Sequence, residues 1–512
     1  MGIFSFLNKP KNIVPDNQLL LSRPLFTVSY DGEKTPGELG VVKNFEMDYV
    51  ALRARSWQSF LENEVTQIII KKYLLWVIGN GLKLQSEPIV SILEDEGIKI
   101  DSDKFSSQIE SKFRLFAKSK FSSYNNVDTV HTLAKKSYKE SIIGGDSLVI
   151  LRVINNQLKV QIIDGENVVT PYLDEHYKVA KDRGNTIENG IELSPTGEHI
   201  AYFIQTLEKI ERVEARTTNG ALVAYMVYGT MYRLDEVRGI PVLSATLETL
   251  KKLDRYKEAT VGSAEERAKI PYTIIHNEIS TGANPLTKGI GNAINAGKGT
   301  AVETGVYDNA QHIALTTQKS VFNLERGSEL KSLESKTELN FEDFYTANIK
   351  TICAALTIPY EVAYSMYDSN YSASRAAIKD WEHIKKDASD YFSQQFYKPI
   401  YDLFLEIEIL KDKVNANGYL KALTNNDNMV LEAYREARFV GANVPHIDPL
   451  KEVAAERAKL GSLSAHIPLT TLEQAVENVN GGEFAHNIKR YMKELDLAKE
   501  LQPETPEPNV KD

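Results

Sequence analysis

The stretch IPYEVAYSMYDSNYSASRAAIKDW, residues 358–381, anchors the reading of the fold. Pro359 cannot continue a helix, because it lacks the amide donor and its ring clashes with the preceding turn. The apolar-periodic run Phe341–Thr357 is therefore expected to be a helix that stops just before it. The polar run Tyr364 to Ser372 reads as a loop. From Ala373 the period becomes helical again and holds to about Lys411, with Ala377, Trp381, Ile384, Ala388, Phe392 and Phe396 on one face. Pro399 falls inside this long helix and is expected to kink it.

Working outward, residues 1–40 read as a polar arm. Glu46 to Ile78 reads as a helix stopped by Gly79-Asn80-Gly81. Helices are expected at Phe105–Lys120 and Val127–Glu140, the latter ending near Gly144-Gly145. The period then changes to two. Ser147–Val153 and Leu158–Ile163 flank Asn155-Asn156, a hairpin signal. Further strands are expected at Gly190–Leu193, His199–Gln205 and Ala221–Tyr228. A long helix returns after Pro241 and runs to about Lys269, with Gly262-Ser263 as a possible bend. Residues 271–336 read as a small mixed module with strands at Tyr272–His276, His312–Thr316 and Ser320–Leu324. The last eighty or so residues read as short helices before a Pro- and Glu-rich tail. The fold class expected is α+β, mainly helical and multi-lobed.

Composition narrows the function. The chain has 512 residues, 42% apolar and 25% charged, with net charge −10. That is an ordinary globular composition. It argues against a protein that grips nucleic acid over its whole surface, since phosphate neutralisation needs excess Lys and Arg. The single cysteine, Cys353, excludes an internal disulfide and a Cys-based zinc site, and beside Ala354 and Ala355 it reads as a packed core residue. The N-terminal residues fit neither a secretory signal nor the myristoylation pattern. The most apolar stretch, Val65–Leu82, is interrupted by Lys71 and Lys72, so no membrane span is expected.

Enzyme motifs fail one by one. In residues 289–300, GIGNAINAGKGT, five residues separate Gly291 from Gly297, and Gly299 stands where a phosphate loop needs Ser or Thr. Ile294 occupies the third Gly of a dinucleotide fingerprint. No His pair has metal-ligand spacing; His446 near Asp448 and His383 near Asp387 read as surface or packed polar residues. The acidic clusters Glu94-Asp95-Glu96, Glu265-Glu266 and Glu342-Asp343 read as solvated helix faces or ends. No catalytic residue, cofactor site or metal site is expected.

Several strings, in order along the chain, resemble the lambda-type portal family of tailed bacteriophages. The first is Ile358-Pro359-Tyr360-Glu361 leading through Asp368-Ser369-Asn370-Tyr371-Ser372-Ala373-Ser374-Arg375-Ala376-Ala377 to Trp381. The second is Ile447-Asp448-Pro449-Leu450-Lys451-Glu452 with Ala454-Ala455. The third is Arg238-Gly239-Ile240-Pro241 followed by Leu250 and Tyr256 to Ala259. Weaker ones include Arg53 to Leu84, Gly145-Asp146 before a strand, and Leu324 to Glu329. Two departures stand out. Gly145-Asp146 replaces the family's Gly-Glu, and Asp235-Glu236-Val237 replaces an expected Gln before Arg238. The Gly- and Asn-rich stretch 280–310 has no counterpart in the family pattern.

The resemblance implies a homo-oligomeric ring, a dodecamer in this family, at one capsid vertex of the virion, assembled in the host cytoplasm. Double-stranded DNA passes through its axis during packaging and ejection. The implied partners are a separate terminase packaging motor, the major capsid or scaffold protein, and head-tail connector proteins. The implied lobes are a wing (41–242, helical then β-rich, plus the long helix 373–412), stem helices (243–270 and 337–362), a small mixed clip (271–336), a tunnel loop (363–372) and a crown (413–492), with a tail at 493–512. A conduit must not hold phosphate tightly, because each neutralised phosphate adds salt-dependent affinity. An acidic channel wall with sparse cations is therefore expected. The candidate channel- or DNA-facing residues are Lys350, Asn370, Tyr371, Ser372, Arg375 and Lys379. The plain alternatives are an ordinary surface charge or intersubunit ion pair for each cation, and packing within the ring for Tyr371. Arg375 could bridge neighbouring copies or pair with Asp368. The competing readings of the whole chain are a capsid scaffold or adaptor without a channel, and a hydrolase with an unrecognised site.

Overall fold

The computed structural model describes residues 48–269 (apart from 173–174, 208 and 234–235), 273–276, 328–331, 341–366, 371–441, 449–460 and 469–480, with scattered residues from 484 to 495. The expected arm, the strands at 312–316 and 320–324, the pair His446 and Asp448, and the tail from 496 onward lie outside the described residues. Two compact units are present, one formed by the chain up to Glu248 and from Ile349 onward, the other by Thr249–Asn348.

In the larger unit the chain opens with α1 (Tyr49–Glu62) and α2 (Glu64–Tyr73). One helix was expected here, and Asn63 explains the break. Its backbone is extended and its side chain accepts from the Thr66 amide at 3.2 Å, so it caps a new helix. After α2 a π-helical turn (Leu74–Ile78) closes at Gly79, whose φ is +54°. Next come β1 (Lys83–Ser86), α3 (Val90–Asp95), α4 (Ser102–Lys118, capped by Asp101) and α5 (Val130–Gly144, capped by Thr129).

The period-two segment forms β2 (Asp146–Ile154) and β3 (Gln157–Asp164). Asn155 and Asn156 both take positive φ (52° and 56°), as a two-residue hairpin turn with native twist requires, and Ile154 pairs with Gln157. After α6 (Glu175–Asp182) follow β4 (Thr186–Glu188), β5 (Ile191–Leu193), β6 (His199–Gln205), β7 (Ile210–Glu214) and β8 (Ala224–Tyr228). All pairings are antiparallel, in two sheets ordered β3-β2-β8 and β4-β5-β6-β7. Leu148, Ile150, Ile191, Tyr202, Ile204 and Met226 share one buried cluster, which joins the sheets. The strands β4 and β7 and the helix α6 escaped the sequence reading, being short and rich in charged residues.

The smaller unit holds most of α7 (Leu247–Lys269), which is continuous across Gly262-Ser263 and is entered through a 3-10 turn (Val242–Ala245). It also holds β9 (Thr273–His276), paired antiparallel with β10 (Ser328–Lys331), and the start of α8 (Phe341–Ala355). Within it the ring of Tyr256 stacks on Phe341 at 5.5 Å and meets Phe344 at 4.6 Å.

The larger unit resumes with the rest of α8, then α9 (Tyr360–Tyr364) and the 40-residue α10 (Tyr371–Leu410), which runs as helix through Pro399. Its core face buries Trp381, Phe392, Phe396, Tyr397, Ile400 and Tyr401, each worth about 1.5–3 kcal/mol or more in area removed from water. The chain ends in α11 (Tyr419–Asn425), α12 (Asn428–Arg435), β11 (Ala437–Val440), α13 (Pro449–Lys459) and α14 (Leu472–Asn480). Strand β11 pairs with β1, Lys83 opposite Val440, an association no local pattern could announce. The fold is α+β, as expected.

Candidate functional site

The sequence placed its candidates on the segment from α8 to the start of α10. Local geometry there is set by two left-handed helix ends. At the end of α8 the Ile358 amide donates to the Cys353 carbonyl (3.0 Å) and the Thr357 amide to the Ala354 carbonyl (3.1 Å), with Thr357 at φ +54°. This pair of bonds closes the helix, and Pro359 then starts α9. A β-branched residue is uncommon at positive φ, so the corner needs outside support. At the end of α9, Ser365 takes φ +56° and the Met366 amide donates back to the Glu361 carbonyl (3.1 Å).

The support comes from two consecutive residues of α2. Tyr73 donates its hydroxyl to the Leu356 carbonyl and lies 3.2 Å from the Thr357 hydroxyl. Its ring meets Trp381 of α10 edge-on at 5.3 Å. Lys72 donates to the Ser365 hydroxyl at 2.5 Å. Burial pushes the Tyr73 phenol up to about 12. Cys353 is buried as expected, and burial, then the nearby Glu361 charge, push its thiol up to about 11.

The helix expected over Phe341–Thr357 is present as Phe341–Ala355, and the loop expected over 363–372 is shorter, because 363–364 belong to α9 and Tyr371 and Ser372 open α10. The long helix therefore spans 371–410, not 373–412. Asn370 and Asp368 lie outside the described residues. Arg375 and Lys379, four residues apart, share one face of α10. Lys379 is exposed and pairs with Glu382 at 2.7 Å, one turn on. Lys350 is not part of that stripe. It is exposed on α8 with its ammonium 5.5 Å from the Tyr360 ring, which itself stacks on Tyr364 at 5.1 Å. An exposed contact of this kind is worth about 0.5–1 kcal/mol. One cation on α10 escaped the sequence reading. Lys385 is 8% exposed, and burial pulls its ammonium below the usual value, with Glu382 opposing.

The strongest polar constellation lies elsewhere. Asp146, the first residue of β2, is fully buried. Its Oδ1 accepts from Arg53 Nη2 (2.5 Å) and Arg238 Nη2 (2.8 Å), and its Oδ2 from Arg238 Nε (2.7 Å) and the Gly239 amide (2.9 Å). Arg53, on α1, also donates to the Gly144 carbonyl (2.8 Å), and Arg238 to the carbonyls of Gly165, Val168 and Asn189 (2.6–3.0 Å). Burial alone would push the Asp146 carboxyl up, but the Arg238 and Arg53 guanidiniums outweigh it and hold it below the usual range. Gly145 and Gly239 lie back to back, and a Cβ on either would overlap the other's carbonyl oxygen. Gly145 also sits at φ +104°, so both glycines are demanded by close approach.

Beside this cluster, Arg53 reaches Asp164 at 3.3 Å, and Glu140 of α5 accepts from the Trp57 indole at 3.2 Å. Burial, then the Asp164 charge, push the Glu140 carboxyl up to about 7, with Arg53 opposing. Three of the strings that carried the family resemblance, at Arg53, Gly145-Asp146 and Arg238-Gly239, thus meet at one buried ionic centre. It ties α1 and both sheets together. Among the described residues no group of three His, Cys, Asp or Glu side chains could hold a metal, and no helix is long and apolar enough to cross a membrane.

Comparison with known proteins gives one family match and several structural likenesses. Residues 32–386 match the family described as phage portal protein, lambda family. No curated protein matches the chain. The neck of an empty GTA (gene transfer agent) particle, computed with C6 symmetry, is similar at 11% identity over 84% of this chain and 93% of that chain, with a TM-score of 0.41. The neck of a native GTA particle with C12 symmetry gives 11% identity, 84% and 92% coverage and a TM-score of 0.39.

Proposed function

The chain belongs to the lambda family of phage portal proteins, and from that premise we propose that its copies close into a ring at one capsid vertex and let double-stranded DNA pass during packaging and ejection. The family match over 32–386 carries this reading, since it takes in α1 through the first part of α10. The protein acts in the virion, without enzymatic activity of its own. The ring, twelve copies by family expectation, is the platform on which a terminase motor docks during packaging and connector proteins dock afterwards, and it meets the capsid or scaffold protein around its edge.

The physical argument is electrostatic. A net charge of −10 keeps non-specific phosphate affinity low. On the segment assigned to the channel, Lys379 is already paired with Glu382 and Lys350 lies over an aromatic ring. Such cations brush phosphates without gripping them. Lys350, Arg375, Lys379 and the residues Asn370, Tyr371 and Ser372 are the proposed DNA-facing set.

Negative-stain microscopy of purified protein tests the core of the proposal. The expected result is annular particles with an open bore wide enough for a double helix. A protein that stays monomeric at micromolar concentration, or an annulus with a closed or strongly cationic bore, overturns it.

A further inference from the structure

Against an acidic whole, one surface of the larger unit is basic and apolar. It is built from the C-terminal end of α4, the following loop 119–128 and the tip of the β2–β3 hairpin. Leu115, Phe121, Val127 and Val153 are 72%, 73%, 63% and 51% exposed there. Lys118 and Lys120 stand exposed beside the first three, and the half-buried Arg152 and Lys159 face the loop from the hairpin, on the opposite side of the sheet from Val153. The loop and the hairpin are held together. The Tyr124 amide donates to the Val160 carbonyl (2.9 Å), the Arg152 guanidinium lies 5.1 Å from the Tyr124 ring, and Lys159 donates to Asn126 (2.5 Å). The carboxylate inside the loop, Asp128, is buried and bound by Lys136 at 2.8 Å through both oxygens, with the Lys120 charge also acting on it.

The other end of α4 carries the opposite character. Phe105, in its first turn, packs on Tyr434 of α12 at 5.5 Å, and Asn417 donates to the Lys99 carbonyl at 3.3 Å. On the surface around this junction stand Glu94, Asp95 and Glu96 at the end of α3 and Glu436 after α12, all exposed; Glu432 is exposed but paired with Arg435 (3.4 Å) and Lys398 (3.7 Å), and Lys99, Lys104 and Lys421 are exposed nearby, so the acids outnumber the cations without standing alone. Among them Met429 is 65% and Leu420 48% exposed. Helix α4 has 17 residues, so the two patches lie about 25 Å apart along it.

We propose that these two patches are the two halves of the contact between successive copies of this chain: the basic, apolar face around Phe121 of one copy docks on the acidic, apolar face around Met429 of the next. Three observations favour a second copy over a nucleic acid. Three exposed apolar side chains, Leu115, Phe121 and Val127, have no counterpart on a duplex, whose outer surface is phosphate. Exposed apolar patches rimmed by charge mark protein contacts. This chain itself presents a surface of matching character and opposite charge. A contact between two different patches is heterologous, so it repeats head to tail and closes into a ring when the rotation allows. The inference rests on the ring reading above and names the faces that build the ring.

The chain's single cysteine makes the test clean, because Cys353 is 1% exposed and its thiol is pushed up to about 11. A Phe121→Cys and Met429→Cys double variant, treated with a bis-maleimide of about 10 Å reach, is expected to give a ladder of covalent multimers beyond the dimer, while each single variant stays monomeric on a denaturing gel. Lys118→Glu with Lys120→Glu is expected to lower multimer yield at least tenfold, and adding Glu94→Lys and Asp95→Lys to the same chain to restore it. Circular dichroism of each variant checks folding. A single-cysteine variant that crosslinks to dimers as well as the double variant does would mean self-pairing and overturns the proposal. So does a double variant that forms rings but no ladder, or a charge-reversed chain that loses only duplex DNA retention. If the unaltered chain elutes as a monomer in size exclusion, the ring reading itself has failed, which separates the two outcomes.

Discussion

Replacing Asp146 with Asn changes no volume but removes the one charge that two buried guanidiniums share. The carboxylate accepts four hydrogen bonds at 2.5–2.9 Å, two on each oxygen. An Asn offers one oxygen and one amino group. Whichever way it turns, two donors then face an NH2, and Arg53 and Arg238, 6% and 5% exposed, keep their charges without the central partner. Asp164 can answer only Arg53, from a side chain that is 39% exposed. Breaking a buried ion pair by deleting one partner costs about 3–5 kcal/mol, because the remaining charge stays desolvated. Against the ~5–15 kcal/mol of a typical domain, that is enough to melt the junction of α1 with both sheets. The assay is urea unfolding of the purified chain followed by far-ultraviolet circular dichroism, reading the transition of the larger unit. Asp146→Glu serves as the paired variant. It keeps the charge but adds a methylene where Gly165 already presses against Oδ1, and overpacking costs about 1–3 kcal/mol. Asp146→Asn should therefore be the more damaging of the two. If it unfolds within about 0.5 kcal/mol of the unaltered chain, the centre does not carry the fold and the argument from desolvation is wrong.

Three further outcomes are expected. The folded Glu140 carboxyl titrates near 7, against 4.5 for an ordinary glutamate, so the folded chain holds a proton that the unfolded chain has lost between those values. Its contribution to stability is greatest below about pH 4.5 and declines as pH rises through 7, by roughly 2–3 kcal/mol; Glu140→Gln, which keeps an acceptor for Trp57 and a donor for Asp164, should flatten that slope and raise the melting temperature at pH 8, and an unchanged pH profile would refute it. Tyr73→Phe removes the bond to the Leu356 carbonyl but keeps the packing on Trp381, so it should cost about 1–2 kcal/mol in urea unfolding; a neutral result would show that the corner at Thr357 stands without it. Lys350→Glu should leave ring formation intact and change DNA passage or its salt dependence in a packaging assay; unaltered packaging removes Lys350 from the DNA-facing set.

Much of the secondary structure was legible because it obeys local rules. Asn155-Asn156 announced its hairpin, Gly144-Gly145 the end of a helix, and Pro359 the corner after α8. What was not legible depends on distant partners. The Asn63 break looks like any polar residue in a helix until its side chain is seen to cap. Strands β4 and β7 are charged because each lies at an edge of its sheet. The pairing of β1 with β11 joins residues more than three hundred positions apart, which no period can reveal. The candidate channel residues were named from their place in a motif, and the structure shows only part of that set: Lys379 in an ion pair, Lys350 over an aromatic ring, and the positions of Tyr371, Ser372 and Arg375 at the start of α10.

The contrast between the motifs that identified the chain and the charges assigned to DNA has a physical cause. A conduit needs its wall to bind weakly, and weak, screened contacts place few demands on the identity or spacing of individual residues. A buried carboxylate between two arginines tolerates almost no change, since every neighbour must supply a donor or vacate space. Arg53, Gly145-Asp146 and Arg238-Gly239 are therefore the residues whose pattern a sequence can display. The departure at position 146 follows the same logic. Asp stands where the family pattern has Glu, and Gly165, with no Cβ, lets the backbone close onto the shorter side chain. The sequence advertised what holds the subunit together; surfaces proposed to pass DNA would work by not holding on, and a sequence has little reason to display them.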